Sequence, residues 1–211
     1  MGETKKNSKA TSILKNNPLT SIVKGNIGII VVLIIMCVAV ALATDKFLTT
    51  NNIISVLRQI SINTYIALGM TLIIILGHID LSVGSIVAMS GTLTVGFIVN
   101  QGLPLGVAIA AGLLVGTAAG FVSGFIVANF KVPAFIITMA MMNIASGIAY
   151  VYTGGQSTRI TNKLFIEIGT GYLFNVIPLP VVYMVVLIIL FSFILSKTKF
   201  GTYVYAIGGN R

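Results

Sequence analysis

Six uncharged apolar stretches, at about 27–44, 59–76, 82–99, 105–128, 134–153 and 178–196, make up more than half of this 211-residue chain. Each approaches the roughly 20 residues that a helix, rising about 1.5 Å per residue, needs to cross the hydrocarbon core of a bilayer. In lipid a helix satisfies its own backbone polar groups, so every stretch is expected to be helical. The chain therefore reads as all-α, a polytopic membrane helical bundle with about six transmembrane helices. Composition agrees: 56% of residues are hydrophobic, only 8% are charged and the mean hydropathy is +1.05, against roughly 25% charged residues in soluble domains. Gly77, the segment from Asn100 to Pro104, Pro133, Gly154 with Gly155, and Pro178 with Pro180 mark the breaks.

The net charge of +9 could suggest nucleic acid, but its distribution does not. Lys5, Lys6, Lys9, Lys15 and Lys24 precede the first apolar stretch, and no basic groove interleaved with aromatics follows. With the N-terminus in the cytoplasm and each span reversing sides, Lys131, Lys197, Lys199 and Arg211 join those five, while Lys46, Arg58, Arg159 and Lys163 fall outside. Nine basic residues against four support that orientation. Two regions result: a basic cytoplasmic tail over 1–26 and a transmembrane domain over 27–211. Ala39, Ala41 and Ala43 resemble a signal-peptide cleavage pattern, yet the first stretch is longer than a signal core and more spans follow, so it is retained as a helix. The single Cys37 has no partner for a disulfide, and no residue cluster suggests a metal.

Asp80 is the only charge between Arg58 and Lys131, set in the stretch TLIIILGHIDLSVGSIVAMS over 71–90. Gly77 could end one helix while Asp80 or Ser82 caps the next. If the break lies at membrane depth, a carboxylate costs on the order of 2.5–3.5 kcal/mol, which would require a cavity or a protein partner. Both readings stay open. Gly112, Gly116, Gly120 and Gly124 recur every four residues, with Ala108 and Ala128 on the same row, so a neighbouring helix is expected in that groove. Buried polar candidates are Asn63 and Thr64 in the second stretch, and Thr138, Asn143 and Ser146 in the fifth; the last two share a face by spacing. Met139, Met141 and Met142 read as soft packing. Asn63, His78, Asp80, Ser82, Thr138 and Asn143 are the candidates for lining a solute path.

The stretches GHIDLSVGSIVAMSG, VPAFIITMAMMNIASGIAYVYTGG and TKFGTYVYAIGGN, with IALGMTLII before them, closely resemble the permease subunits of bacterial ABC importers for ribose and related monosaccharides. The likeness runs from about Phe47 to the last residue. It implies an integral subunit of the bacterial cytoplasmic membrane that pairs with a second permease copy and receives sugar from an extracytoplasmic binding protein. A cytoplasmic ABC ATPase, carrying the ATP and Mg, would drive it. It also implies a signature turn at Gly77, Asp80, Leu81, Ser82, Gly84 and Ser85. His78 stands where the family usually has a second glycine. Relatives continue beyond AIGGN into a coupling helix and roughly four further spans, so the resemblance implies the N-terminal part of a permease.

No GxxxxGK[ST] phosphate loop occurs, so the chain is not expected to be an enzyme or to hydrolyse ATP itself. Phe200, Gly201, Gly208, Gly209 and Asn210 are the expected contacts for the ATPase, and 156–175 is expected to face the binding protein. An ion-coupled secondary transporter would need ionisable groups near the midplane, for which only Asp80 and His78 offer themselves. A non-transporting membrane scaffold is the third reading.

Overall fold

A computed structural model describes residues 26–209. The expected basic tail, apart from Asn26, lies outside the described residues, as do Asn210 and Arg211. The elements are α1 (Ile27–Ala43), α2 (Thr50–Ile75), α3 (Val83–Val99), α4 (Leu105–Phe130), α5 (Ala134–Thr153), α6 (Lys163–Thr170), β1 (Tyr172–Leu173), β2 (Ile177–Pro178), α7 (Leu179–Lys197) and α8 (Lys199–Gly209). Pro104, Pro133 and Pro178 stand directly before α4, α5 and α7. Proline fits there because its fixed φ suits the entry and the N–H it lacks would have no helical partner. At the other end of α5, Gly154 adopts φ 62° and returns its N–H to Tyr150 and Val151, the left-handed closure that glycine makes without a Cβ penalty.

The six apolar stretches all appear as helices. Four of them, α2, α4, α5 and α7, are long and apolar enough to cross a membrane; α1 and α3 are apolar but have 17 residues each, the short end of the roughly 17–25 that span. One boundary moves substantially. The second helix begins at Thr50 and not near 59, because Thr49 Oγ1 accepts the Asn52 N–H at 3.4 Å and the Asn52 amide donates to Phe47 O at 2.7 Å. Hydropathy marks only the lipid-facing part of a helix, and this one continues through polar sequence past Arg58.

The chain divides into two compact units, Met1–Ser55 and Val56–Arg211. In the first, α1 buries no residue. In the second, α3, α4 and α5 pack against one another, while α7 packs against α6, the hairpin and α8. The interior of this unit is inverted relative to a water-soluble protein. Ser61, Ser82, Thr94, Ser123 and Thr138 are buried together with Ala108, Ala145 and Met89, whereas Leu113, Leu114, Phe121, Phe125, Ile189 and Phe193 are exposed. That distribution suits a chain whose solvent is lipid, where large apolar side chains gain nothing by turning inward and small or hydroxylated residues allow helices to approach.

Three approaches to α3 are very close. A Cβ at Gly96 would collide with the Tyr152 ring, one at Gly112 with Thr94 Oγ1, and one at Gly116 would lie 2.7 Å from Ser90 Oγ. Gly120 and Gly124 meet nothing within 4 Å, so only half of the four-residue row expected to receive a helix does so.

The segment after α5 is ordered by long-range bonds. Arg58 Nη2 donates to Thr170 O at 2.6 Å and its guanidinium lies 5.0 Å from the Tyr172 ring centroid. Antiparallel β1 and β2 pair Tyr172 with Pro178 and Leu173 with Ile177. Tyr65 Oη donates to Pro180 O at 2.6 Å, tying α2 to the start of α7. Arg58→Ala removes a charged donor and a cation–π contact, so a loss of about 1–3 kcal/mol is expected, concentrated in α6 and the hairpin. Limited proteolysis should then cut between 163 and 178 faster than in the parent, with α3–α5 unchanged.

Candidate functional site

The break between α2 and α3 gathers several polar groups of the second unit. Gly77, at φ 72°, donates its N–H to Ile74 O at 2.8 Å, and His78 N–H reaches Ile73 O at 3.0 Å, which closes α2 and turns the chain. Asp80 Oδ1 then accepts both the backbone N–H of Ser82 at 2.7 Å and its hydroxyl at 2.6 Å. Ser82 opens α3 without a side-chain cap bond of its own. Asp80 thus fixes the entry of α3 from two residues upstream, a turn that Asp favours because its short carboxylate reaches that N–H. From α5, Thr138 Oγ1 accepts the Leu81 N–H at 3.2 Å and lies 3.3 Å from Phe135 O. Eight residues further along α5, Ser146 Oγ donates to Ser85 Oγ at 2.9 Å.

A cleft of about 660 Å³ opens beside this turn, lined among others by His78, Asp80, Thr138, Lys131, Ser123 and Gly124. Asp80 therefore organises the helix entry and also borders the cleft. Ser123 is buried, and its hydroxyl has no hydrogen-bond partner among the described residues. Gly120 and Gly124 also line this cleft, which is why they meet no helix. A second cavity of about 610 Å³ lies toward the other end of α3 and α5, bordered by Thr92, Ser146, Thr153, Gln156, Ser157 and Thr158. Ser82 bonds Asp80 at the first cleft, and Ser85 bonds Ser146, which borders the second.

The six path candidates do not all converge. His78, Asp80, Ser82 and Thr138 meet at the turn. Asn63 is exposed on α2 and borders neither cavity. Asn143 and Ser146, expected on one face, point to different neighbours: Ser146 bonds Ser85, while the Asn143 amide donates to Met139 O at 3.1 Å within its own helix and opens on a separate hollow beside Tyr152. Of the signature residues, Leu81 and Gly84 are exposed, and Ser85 is engaged with α5. Among the described residues no His, Cys, Asp and Glu cluster could hold a metal. In the sequence Lys131 stands out only by its charge, and Ser123 by nothing in its type. The spacing of Ser123 from Gly120 and Gly124, three and one residues apart, was the available signal.

Of the expected ATPase contacts, Phe200 and Gly209 on α8 are exposed, and Asn210 lies outside the described residues. Gly201 is buried against the Leu195 backbone, and Gly208 abuts the carbonyl of Ile75, the last residue of α2. The bare backbone of α8 is thereby held directly against the α2 terminus that leads into the Asp80 turn. Gly208→Val is expected to lift α8 from Ile75, because an added Cβ overlaps that oxygen; faster backbone amide exchange over 199–209, with α4 unaffected, is the measurement.

Helices with small and hydroxylated interiors and apolar exteriors, broken at a turn that borders a cleft, are those of a multi-pass membrane protein. The family model described as "Branched-chain amino acid transport system / permease component" matches residues 52–211, and the chain belongs to that family. It is 41% identical over 184 residues to the ribose import permease protein of Haemophilus influenzae, covering 85% of this chain and 56% of that protein. It is 40% identical over 180 residues to the Bacillus subtilis ribose import permease, covering 84% and 55%. To the L-arabinose ABC transporter permease protein of Azospirillum brasilense it is 35% identical over 184 residues, covering 87% and 53%. The chain thus spans little more than half the length of these relatives. No solved structure matches it at a significant level.

Proposed function

We propose that this chain is the membrane-embedded part of an ATP-driven importer for ribose or a similar monosaccharide, working in a bacterial cytoplasmic membrane with its N-terminus inside. The observation that carries the reading is the likeness to ribose and arabinose permeases over most of the chain, which favours a sugar over the amino acids in the family's description. The geometry supports it. Two cavities, each largely apolar with a few polar groups at its edge, border opposite ends of α5, and the one at the Asp80 turn, at about 660 Å³, falls within the roughly 300–1,000 Å³ of small-molecule sites. Transport would alternate which cavity is open, a shift between two packings of α3, α4 and α5. Asp80 and Thr138 would offer hydrogen bonds to sugar hydroxyls at the inner mouth.

An ABC ATPase, holding ATP and Mg, would act at α8, whose backbone contact with Ile75 could carry movement to the turn. A binding protein would deliver sugar near Gln156, Ser157 and Thr158, and a second permease copy would complete the pathway. The test is co-purification of the gene product with its partners, followed by ATPase measurement with and without ribose-loaded binding protein. Stimulation by the loaded protein is expected. Asp80 and His78 at the cleft would favour an ion-coupled carrier instead, and uptake driven by a proton gradient without ATP would establish that.

A further inference from the structure

The segment Lys163–Pro178 carries several large apolar side chains that are mostly exposed. Phe174 is 84% exposed, Val176 71% and Leu164 63%. Its level along the bundle is fixed by two independent bonds. Arg58, the residue directly before the second apolar stretch, donates to Thr170 O at 2.6 Å. Leu179, the first residue of α7, donates its N–H to Gly171 O at 2.9 Å. The segment is therefore held to the polar edge of two spans at once, at the membrane boundary remote from the Asp80 cleft.

The hairpin tip combines a strained backbone with an exposed aromatic ring. Phe174 and Asn175 both have left-handed backbones, φ 52° and 56°, and Leu173 O accepts the Val176 N–H at 3.2 Å. Asn or Gly suits both positions of such a turn, and a bulky aromatic does not. This Phe nevertheless extends its ring away from the protein. On α6, Leu164, Ile166 and Ile168 are exposed beside the charged Lys163 and Glu167, the mixture of an interfacial helix. Tyr172, held against Arg58, has the amphipathic ring that favours the headgroup level.

We infer that α6 and the β1–β2 tip insert into the lipid headgroup region of the leaflet remote from the Asp80 cleft, with Phe174 as the anchor, to a depth of about 5–10 Å. Arg58 and Leu179 bind this segment directly to two helices long and apolar enough to cross a membrane, which favours lipid over a soluble partner. The segment available to a delivering protein then contracts to the polar stretch around Gln156–Thr158.

The chain contains no tryptophan, so Phe174→Trp gives a single emitter in the reconstituted protein, with Ser157→Trp as the aqueous reference. In phosphatidylcholine vesicles Phe174→Trp should emit to the blue of Ser157→Trp, lose most of its emission to lipids brominated near the headgroup, and resist iodide from either side. Val176→Trp should behave alike, which keeps the test valid should the first variant misfold. Emission and iodide quenching equal to those of Ser157→Trp would overturn the inference. So would protection from iodide without quenching by brominated lipid, the signature of a second protein copy, or a blue shift that arises only when a soluble binding protein is added.

Discussion

Gly112→Leu is expected to destabilise the α3–α4–α5 cluster by about 3 kcal/mol or more, above the usual cost of overpacking. The site leaves no room: a Cβ would already overlap Thr94 Oγ1 and lie 3.1 Å from the Ser90 carbonyl. Thr94 cannot yield easily, since it is buried and its hydroxyl is bonded to Ser90 O at 2.7 Å. In lipid the helices have no hydrophobic force to hold them together once backbone contact is lost. Gly120→Ala, eight residues along the same row, meets nothing within 4 Å. It should be neutral or gain a few tenths of a kcal/mol, up to about 1, from helix propensity. Thermal aggregation of the two variants in mild detergent compares them directly. Equal melting would show that the close contact carries no stability.

The second large effect is at Asp80, where two substitutions separate structure from path. Asp80→Ala leaves the Ser82 N–H and hydroxyl, both inside a fully buried residue, without their acceptor. An unsatisfied buried polar group costs about 1–3 kcal/mol, so this variant should lose about 2–4 kcal/mol and much of its folded yield. Asp80→Asn retains an oxygen for the same two donors and loses only the charge, for about 1 kcal/mol. If the carboxylate also faces the sugar path, Asp80→Asn should assemble nearly normally yet transport at least about tenfold more slowly, the factor that roughly 1.4 kcal/mol in the barrier produces. Folded yield by size-exclusion profile and uptake in vesicles provide the comparison. Equal loss of folded protein in both variants would reduce Asp80 to a turn residue.

These sites differ in how far the sequence revealed them. The helices from Leu105 to Phe130 and from Ala134 to Thr153 were legible almost to the residue, because membrane length and proline entry act locally. The polar start of α2 was not, since nothing in hydropathy tells a helix leaving the membrane to stop. Nor were α6 and the hairpin, eight residues and two two-residue strands whose order depends on Arg58, 112 residues from its acceptor Thr170. At the candidate site, Asp80 stood out as an isolated charge, and its bond to Ser82 is local enough to anticipate. The Thr138 hydroxyl was noticed as polar, but its bond to the Leu81 N–H, 57 residues away, depends on how α3 and α5 pack. Spacing grouped Asn143 with Ser146, and packing separated them, because a shared helical face can still meet two neighbours.

The account depends most on which ends of the helices share a side of the membrane. Single cysteines at Lys131, beside the Asp80 cleft, and at Ser157, beside the other cavity, introduced with Cys37→Ser, test this in sealed right-side-out vesicles with a membrane-impermeant maleimide. Labelling of the cysteine at 157 in intact vesicles, and of that at 131 only after permeabilisation, is the expected result. Labelling of both from outside, or of 131 alone, would contradict a bundle whose Asp80 cleft opens to the cytoplasm.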